Sequence, residues 1–316
     1  MVDFDYLYRG LCALANAHKA SSMAGHLGAA VVAGYFWGED ESEFDDAVYR
    51  GVENELDRVI KGEEAFWFNA KKAGITSTEL FEPLPKQEPQ ENLLQSIADA
   101  LSGNIAKTRQ SGHNVIFASI ALRALNDHPE FATPAMVDGI TKLIQGFNAA
   151  TAGRGYYGAE RGWKQGEQVD LQEVRDVPFY QSEQEMAELV IDELNASVAN
   201  RRQGFGGMWH IINHAAAITE LSRYGYRDLA RQGFAAHRQH VRLWRTLPDV
   251  KEELGLLKRS ELEPGAPAYW TAELKRDEAR LTHRIKTLYG FSKILPFVDD
   301  RQKQQRAIES LRFLMS

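Results

Sequence analysis

The sequence predicts an all-α protein, and three observations lead to that class. Apolar residues recur at spacings of three and four along nearly the whole chain, as one buried helix face requires. No segment shows the apolar–polar alternation of a half-buried strand. Stretches that are rich in alanine and other apolar residues, each headed by a histidine, occur four times, which indicates a repeated helical unit.

Each repeat is predicted to hold a helix, a short turn, a histidine-headed helix and a further helix. The four marker histidines lie 87, 97 and 73 residues apart. This irregular spacing suits evenly stacked open solenoids poorly, so we favour an α/α toroid, a closed array of helical hairpins with about four degenerate repeats. The chain, 1–316, is then a single all-helical domain with repeats at 4–61, 91–148, 182–244 and 269–316, and long connections at 62–90, 149–181 and 245–268.

In the first repeat, helices are expected over 4–18 and 26–37, followed by a long helix that ends at Gly62. Asp40 and Ser42 are candidate caps for that third helix. Its apolar stripe repeats every three or four residues from Phe44 to Val59, which predicts one buried face.

The later repeats carry clearer start signals. A helix over 91–109 precedes the His113 helix, and Thr133 followed by Pro134 predicts the start of the next one. Ser182 with Glu185 forms a capping box for a helix over 182–200. The remaining helices are expected from His210 onward, at 226–244, 269–280 and 283–295, and from 299 onward.

Composition excludes several classes of function. The net charge of −7 argues against nucleic-acid and anionic-membrane partners, which are bound through excess Lys and Arg. Cys12 is the only cysteine, so neither an internal disulfide nor a cysteine zinc site is possible. A secretory leader and an apolar run of bilayer length are both missing, so a cytoplasmic protein is expected. Walker, dinucleotide-binding and nucleophile-elbow motifs do not occur either.

The histidines are the candidate functional residues. The positive end of the helix dipole disfavours imidazolium, and a metal ligand or general base must be neutral. His210 and His214 lie one helical turn apart, on one face. We expect catalytic roles for His26, His113, His210, His214 and His283. A bound iron or zinc would be held by the first four of these five.

A shared histidine site depends on the path of the long connections. The marker histidines share one end of the molecule only if the long connections cross its height. Otherwise each histidine was copied with its repeat and caps or packs locally. His237 and His240 lie among arginines, and we expect them on a solvated helix face.

The connection from Ala149 to Gly166 is rich in glycine and aromatic residues. Long connections in compact domains are usually functional or disordered, so a substrate loop or lid is predicted here. Its aromatic residues, with one from the His210 helix, are Tyr156, Tyr157, Trp163 and Trp209. Alternatively, these rings only pin the loop to the protein surface.

The glycine–histidine pairs that lead apolar helices at His26 and His113 resemble those of questin-oxidase-like helical proteins. The resemblance covers short segments only, and this chain lacks several further histidines of that group. It implies an oxidoreductase that acts on an aromatic or polyketide-like small molecule, with His26 and His113 in its cavity.

Two functions are therefore expected from the sequence. The first is a small-molecule enzyme, in the oxidoreductase class if the resemblance holds, with a histidine-lined cavity under the aromatic loop. The alternative is a non-catalytic helical-repeat module that presents a groove to a protein or peptide. An enzyme would place the aromatic rings around a pocket beside the histidines, whereas a scaffold would expose them along an open face.

Overall fold

The computed structural model describes residues 1–172, 174, 177–271 and 280–316, except for the side chain of Ala65. Within these residues the chain is mostly helical, which confirms the all-α class. The helices are α1 (Asp5–Ala17), α2 (Gly25–Asp40), α3 (Asp46–Ile60), α4 (Ala70–Ala73), α5 (Leu94–Ser102), α6 (His113–Asp127), α7 (Pro134–Gln145), α8 (Glu183–Ser197), α9 (Gly207–Arg223), α10 (Arg227–Arg245), α11 (Lys251–Leu254), α12 (Pro267–Thr271), α13 (Leu281–Ile294) and α14 (Arg301–Leu311).

Four histidine-headed helices form the centre of the fold. Helix α2 packs against α6 and α13, and α9 also packs against α6 and α13. These four helices are buried on nearly all sides, which explains why their sequences are apolar all round rather than amphipathic. Their N-terminal histidines lie together, so the four helices run in the same direction.

The remaining long helices cover this inner group with one apolar face each. Helices α1 and α3 pack on α2, α5 and α7 pack on α6, and α8 and α10 pack on α9. Helices α2, α6 and α9 therefore each lie against the helices that precede and follow them in the sequence, whereas α12 packs on α3 and α14 packs on α8. The buried apolar side chains form one cluster that extends from Val2 to Met315.

The structure confirms some predicted helix starts and corrects others. The side chains of Thr133 and Ser182 cap α7 and α8, as predicted. Helix α3 is capped by Asp45 instead of Asp40 or Ser42, because α2 continues to Asp40 and residues 41–44 form the link before α3. Helix α5 ends at Ser102 rather than near residue 109, and a 3₁₀ turn, 110–112, leads into α6. Most of the expected helix over 269–280 lies outside the described residues.

The described residues also contain two short strands that the sequence pattern did not reveal. Strands β1 (Arg154–Tyr156) and β2 (Trp163–Gln165) form a small antiparallel hairpin in the aromatic connection. Three-residue strands are too short to give a readable alternation. No described helix has the length and apolar character needed to cross a membrane.

Candidate metal centre

Four marker histidines meet where the inner helices begin. The Nε2 atom of His113 lies 2.6 Å from Nε2 of His26 and 2.9 Å from Nε2 of His210. The ring of His283 has its centre 5.1 Å from that of His26 and 4.8 Å from that of His210. Ring nitrogens of His26, His210 and His283 all lie within 4.8 Å of one another. The four marker histidines do therefore lie at one end of the inner helices.

Backbone carbonyl groups fix the orientation of two of these rings. The Nδ1 atom of His210 lies 2.7 Å from the carbonyl oxygen of Gly206, and Nδ1 of His113 contacts the carbonyl oxygen of Gln110. A carbonyl oxygen can only accept, so Nδ1 carries the proton in both rings. Their Nε2 atoms then present lone pairs to the centre of the cluster, and such an outer hydrogen bond is the usual support of a metal-bound imidazole.

Glycines make the turns that aim these rings. Gly112 and Gly206 precede α6 and α9 with φ angles of +87° and +73°, a region that side chains disfavour. A Cβ atom on Gly112 would lie 2.6 Å from the ring of His214, and one on Gly206 would lie 2.3 Å from the ring of His210. Both turns therefore require glycine for conformation and for space.

Three residues that sequence reasoning missed complete the site. Lys286 places Nζ 2.5 Å from Nδ1 of His26, and burial lowers the pKa of its amine to about 7. The indole of Trp67 stacks on His26 with ring centres 3.6 Å apart. The buried carboxylate of Glu64 accepts hydrogen bonds from the backbone and hydroxyl of Thr282. Only Lys286 had a signal, because it follows His283 by three residues on one helix face.

Burial keeps the four imidazoles neutral. It lowers the pKa of His26, His113 and His283 well below the usual range, and that of His210 to about 3. Nearby Lys286 lowers the pKa of each of the four rings further. The neutral state expected from the helix dipole is present, but loss of hydration is its main cause.

His214 joins a second histidine group instead of the four-histidine cluster. Its Nδ1 atom lies 3.3 Å from Nδ1 of His240, and its Nε2 atom is buried without a partner. The ring of His237 lies 5.2 Å from that of His214 and contacts the hydroxyl of Tyr180. The expected solvated face for His237 and His240 was wrong, since both are fully buried. Gly233, His237, His240 and Trp244 follow one another at spacings of three or four residues and all are buried on α10. This spacing is the sequence signal that could have placed both histidines on the buried face.

The predicted loop aromatics are divided between two places. Tyr156 and Tyr157 hydrogen-bond Glu253 and Thr246 beside α10 and α11, and Trp163 remains 46% exposed. Trp209 alone among the four lies next to the cluster, with its ring centre 6.3 Å from that of His283. A lid role for the loop stays a prediction.

The same connection braces the two glycine turns. The carbonyl groups of Thr151 and Ala152 accept hydrogen bonds from the backbone of Gln110 and Ser111, and that of Arg154 accepts one from Phe205. Through these bonds the loop holds the turns that precede His113 and His210, which is a structural role.

Comparison with known proteins adds no relative. No family model, curated protein or solved structure matches the chain. The resemblance to questin-oxidase-like proteins stays a prediction, and the interpretation of the site depends on its own geometry.

Proposed function

We propose that the protein is a metal-dependent small-molecule enzyme. Its centre is one divalent transition-metal ion bound by His26, His113, His210 and His283. The observation that carries the proposal is the 2.9 Å separation of the His113 and His210 Nε2 atoms. Both nitrogens present lone pairs because both Nδ1 protons are committed to carbonyl groups. Two facing lone pairs repel unless a cation lies between them.

A metal ion satisfies this arrangement better than a proton. A shared proton would create an imidazolium between two buried rings, and burial opposes that charge. Zinc–imidazole bonds of about 2.0–2.1 Å place adjacent ligand atoms roughly 2.9–3.3 Å apart, depending on the ligand–metal–ligand angle, so a small outward movement of the rings admits the ion and leaves a further position open. Imidazole is a suitable ligand for both zinc and iron.

An enzyme is favoured over a binding module because the centre is not fully enclosed. His283 is partly exposed, as are the neighbouring rings of Trp67 and Trp209. A metal at such a site can polarise a bound group or lower the pKa of bound water. An oxidoreductase is the class that the family resemblance implies, and bound iron would support that reaction type.

We also propose the closed α/α toroid with four histidine-marked repeats as the architecture. The side-by-side packing of α2, α6, α9 and α13, with the first three each flanked by their neighbours in sequence, supports it. A ring of this kind gives each repeat one position in a shared site, which explains why each repeat retains a histidine at its inner-helix start.

Elemental analysis tests the metal centre. The protein is purified without a histidine tag or chelating column, beside the His113→Ala/His210→Ala double variant and the His237→Ala control. We expect close to one equivalent of zinc or iron in the wild type and the control, and its loss in the double variant with helicity retained. Absence of metal from wild type that has also been incubated with zinc and with ferrous iron would refute the proposal.

A further inference from the structure

We propose that the metal centre takes an anion from solvent as a fifth ligand beside its four histidines, and that the substrate is an anionic molecule. This inference rests on the proposed metal centre and adds the class of substrate. It follows from the charge of the ligand set, from the position of a second cation at the opening, and from the lack of space on the interior side of the cluster.

The ligand set leaves the charge of a divalent ion uncompensated. All four proposed ligands are neutral imidazoles, and the group of potential ligands found in the described part of the chain contains histidines only. Glu64 is the carboxylate that acts on Lys286, but its Oε2 atom is bound to Thr282. His26 can bind the ion through Nε2 only if its Nδ1 carries the proton, so the adjacent amine of Lys286 must accept that hydrogen bond and be neutral. The ion and Glu64 then leave the region at about +1, and a buried positive centre is stabilised by an anionic ligand.

The opening of the site carries a further positive charge. Arg280 is exposed and close enough to lower the pKa of His283. Its guanidinium lies over the ring of Phe66, 4.9 Å from the ring centre, and Phe66 is next to Trp67. An arginine held in this way beside the partly exposed His283 raises the local concentration of anions. Arg280 therefore attracts anions to the same site at which the positive metal centre would bind one.

The interior side of the cluster has no room for a substrate. The internal cavity that Lys286 borders, on the side of His26 away from the opening, holds about 20 Å³, enough for roughly one water molecule. Its walls are mostly apolar side chains of the four inner helices, such as Ala33, Ile120 and Ala216. An anion must therefore bind at the His283 side, between Trp67 and Trp209.

Cobalt substitution with azide as the probe tests this inference. The metal-free protein is loaded with Co²⁺, whose visible absorption reports the number and geometry of its ligands, and is then titrated with sodium azide and separately with sodium acetate. We expect saturable changes in the visible bands with azide. The Arg280→Gln variant should bind azide about three- to tenfold more weakly at low salt, while Arg231→Gln, a change at an exposed arginine on α10, should not.

The outcomes separate the two proposals. If Co²⁺ does not bind, the metal centre itself is refuted, and the anion inference falls with it. If Co²⁺ binds with the absorption of a nitrogen-ligated site but neither 100-fold excess azide nor acetate changes the spectrum, the anion inference alone is refuted. Equal azide affinity in Arg280→Gln and wild type would overturn the role of Arg280.

Discussion

Gly112→Ala should destabilise the protein through two separable effects. The first is the positive φ angle of +87°, which costs a side chain about 1–2 kcal/mol. The second is overlap, because the new Cβ would lie 2.6 Å from the buried ring of His214. Overpacking of this kind costs about 1–3 kcal/mol. The free energy of unfolding should therefore fall by about 2–5 kcal/mol in total.

Gly225→Ala is the matched control. Gly225 has a φ angle of +89°, but a Cβ there would meet no atom within 4 Å, so only the conformational cost of about 1–2 kcal/mol applies. Urea denaturation followed by circular dichroism measures both variants. A loss in Gly112→Ala no larger than that in Gly225→Ala would show that the His214 ring does not pack on this turn. Metal content should also fall in Gly112→Ala only, since Gly112 precedes His113.

Two further predictions concern buried groups away from the metal. Arg123→Met should lower the free energy of unfolding by about 2–5 kcal/mol, because Arg123 pairs with Asp40 and the buried Glu220. Its removal leaves Asp40 with Lys293 and Glu220 with the exposed Arg223 as their remaining ion-pair partners among the described residues. Arg231→Met, at an exposed site, should change the free energy of unfolding by less than about 0.5 kcal/mol, and similar urea midpoints for the two variants would contradict this. His237→Phe should make the free energy of unfolding fall less steeply as the pH is lowered below 6.5. Burial lowers the pKa of His237 to about 3, so between pH 6.5 and 3 the unfolded chain binds a proton that the folded chain does not. The stability that His237 contributes above pH 6.5 is therefore lost as the pH falls toward 3. Urea titrations at pH 7, 6 and 5 measure the slope, and an unchanged slope would refute the assignment.

Local signals made the fold class and several helix starts predictable. The cap at Ser182 and the proline after Thr133 act on their own helices, so no tertiary information is needed. The histidine-headed helices could be recognised because composition marks a helix that is buried all round. The cap at Asp45 was missed because Asp40, Ser42 and Asp45 are chemically equivalent candidates, and only the length of α2 decides among them.

The composition of the site depended on contacts distant in sequence. Trp67 lies in a connection with no periodic pattern, and its contact with His26 follows from how that connection folds back. His237 and His240 were assigned to solvent because arginines surround them in sequence. In the structure those arginines extend outward or bond to backbone carbonyls, such as that of Val177 for Arg238, while the histidine face stays buried.

The common direction of the inner helices explains which charged residues lie at each end of the molecule. Four parallel helices place their positive dipole ends around the histidine cluster and their negative ends at the opposite side. Arg123 and Lys293 lie near the C-terminal ends of α6 and α13, where cations are stabilised, and both pair with Asp40. At the histidine end, Glu64 binds the first turn of α13, as an anion should. The cluster of neutral imidazoles therefore lies in a field that favours anions, and the proposed metal ion would strengthen that preference.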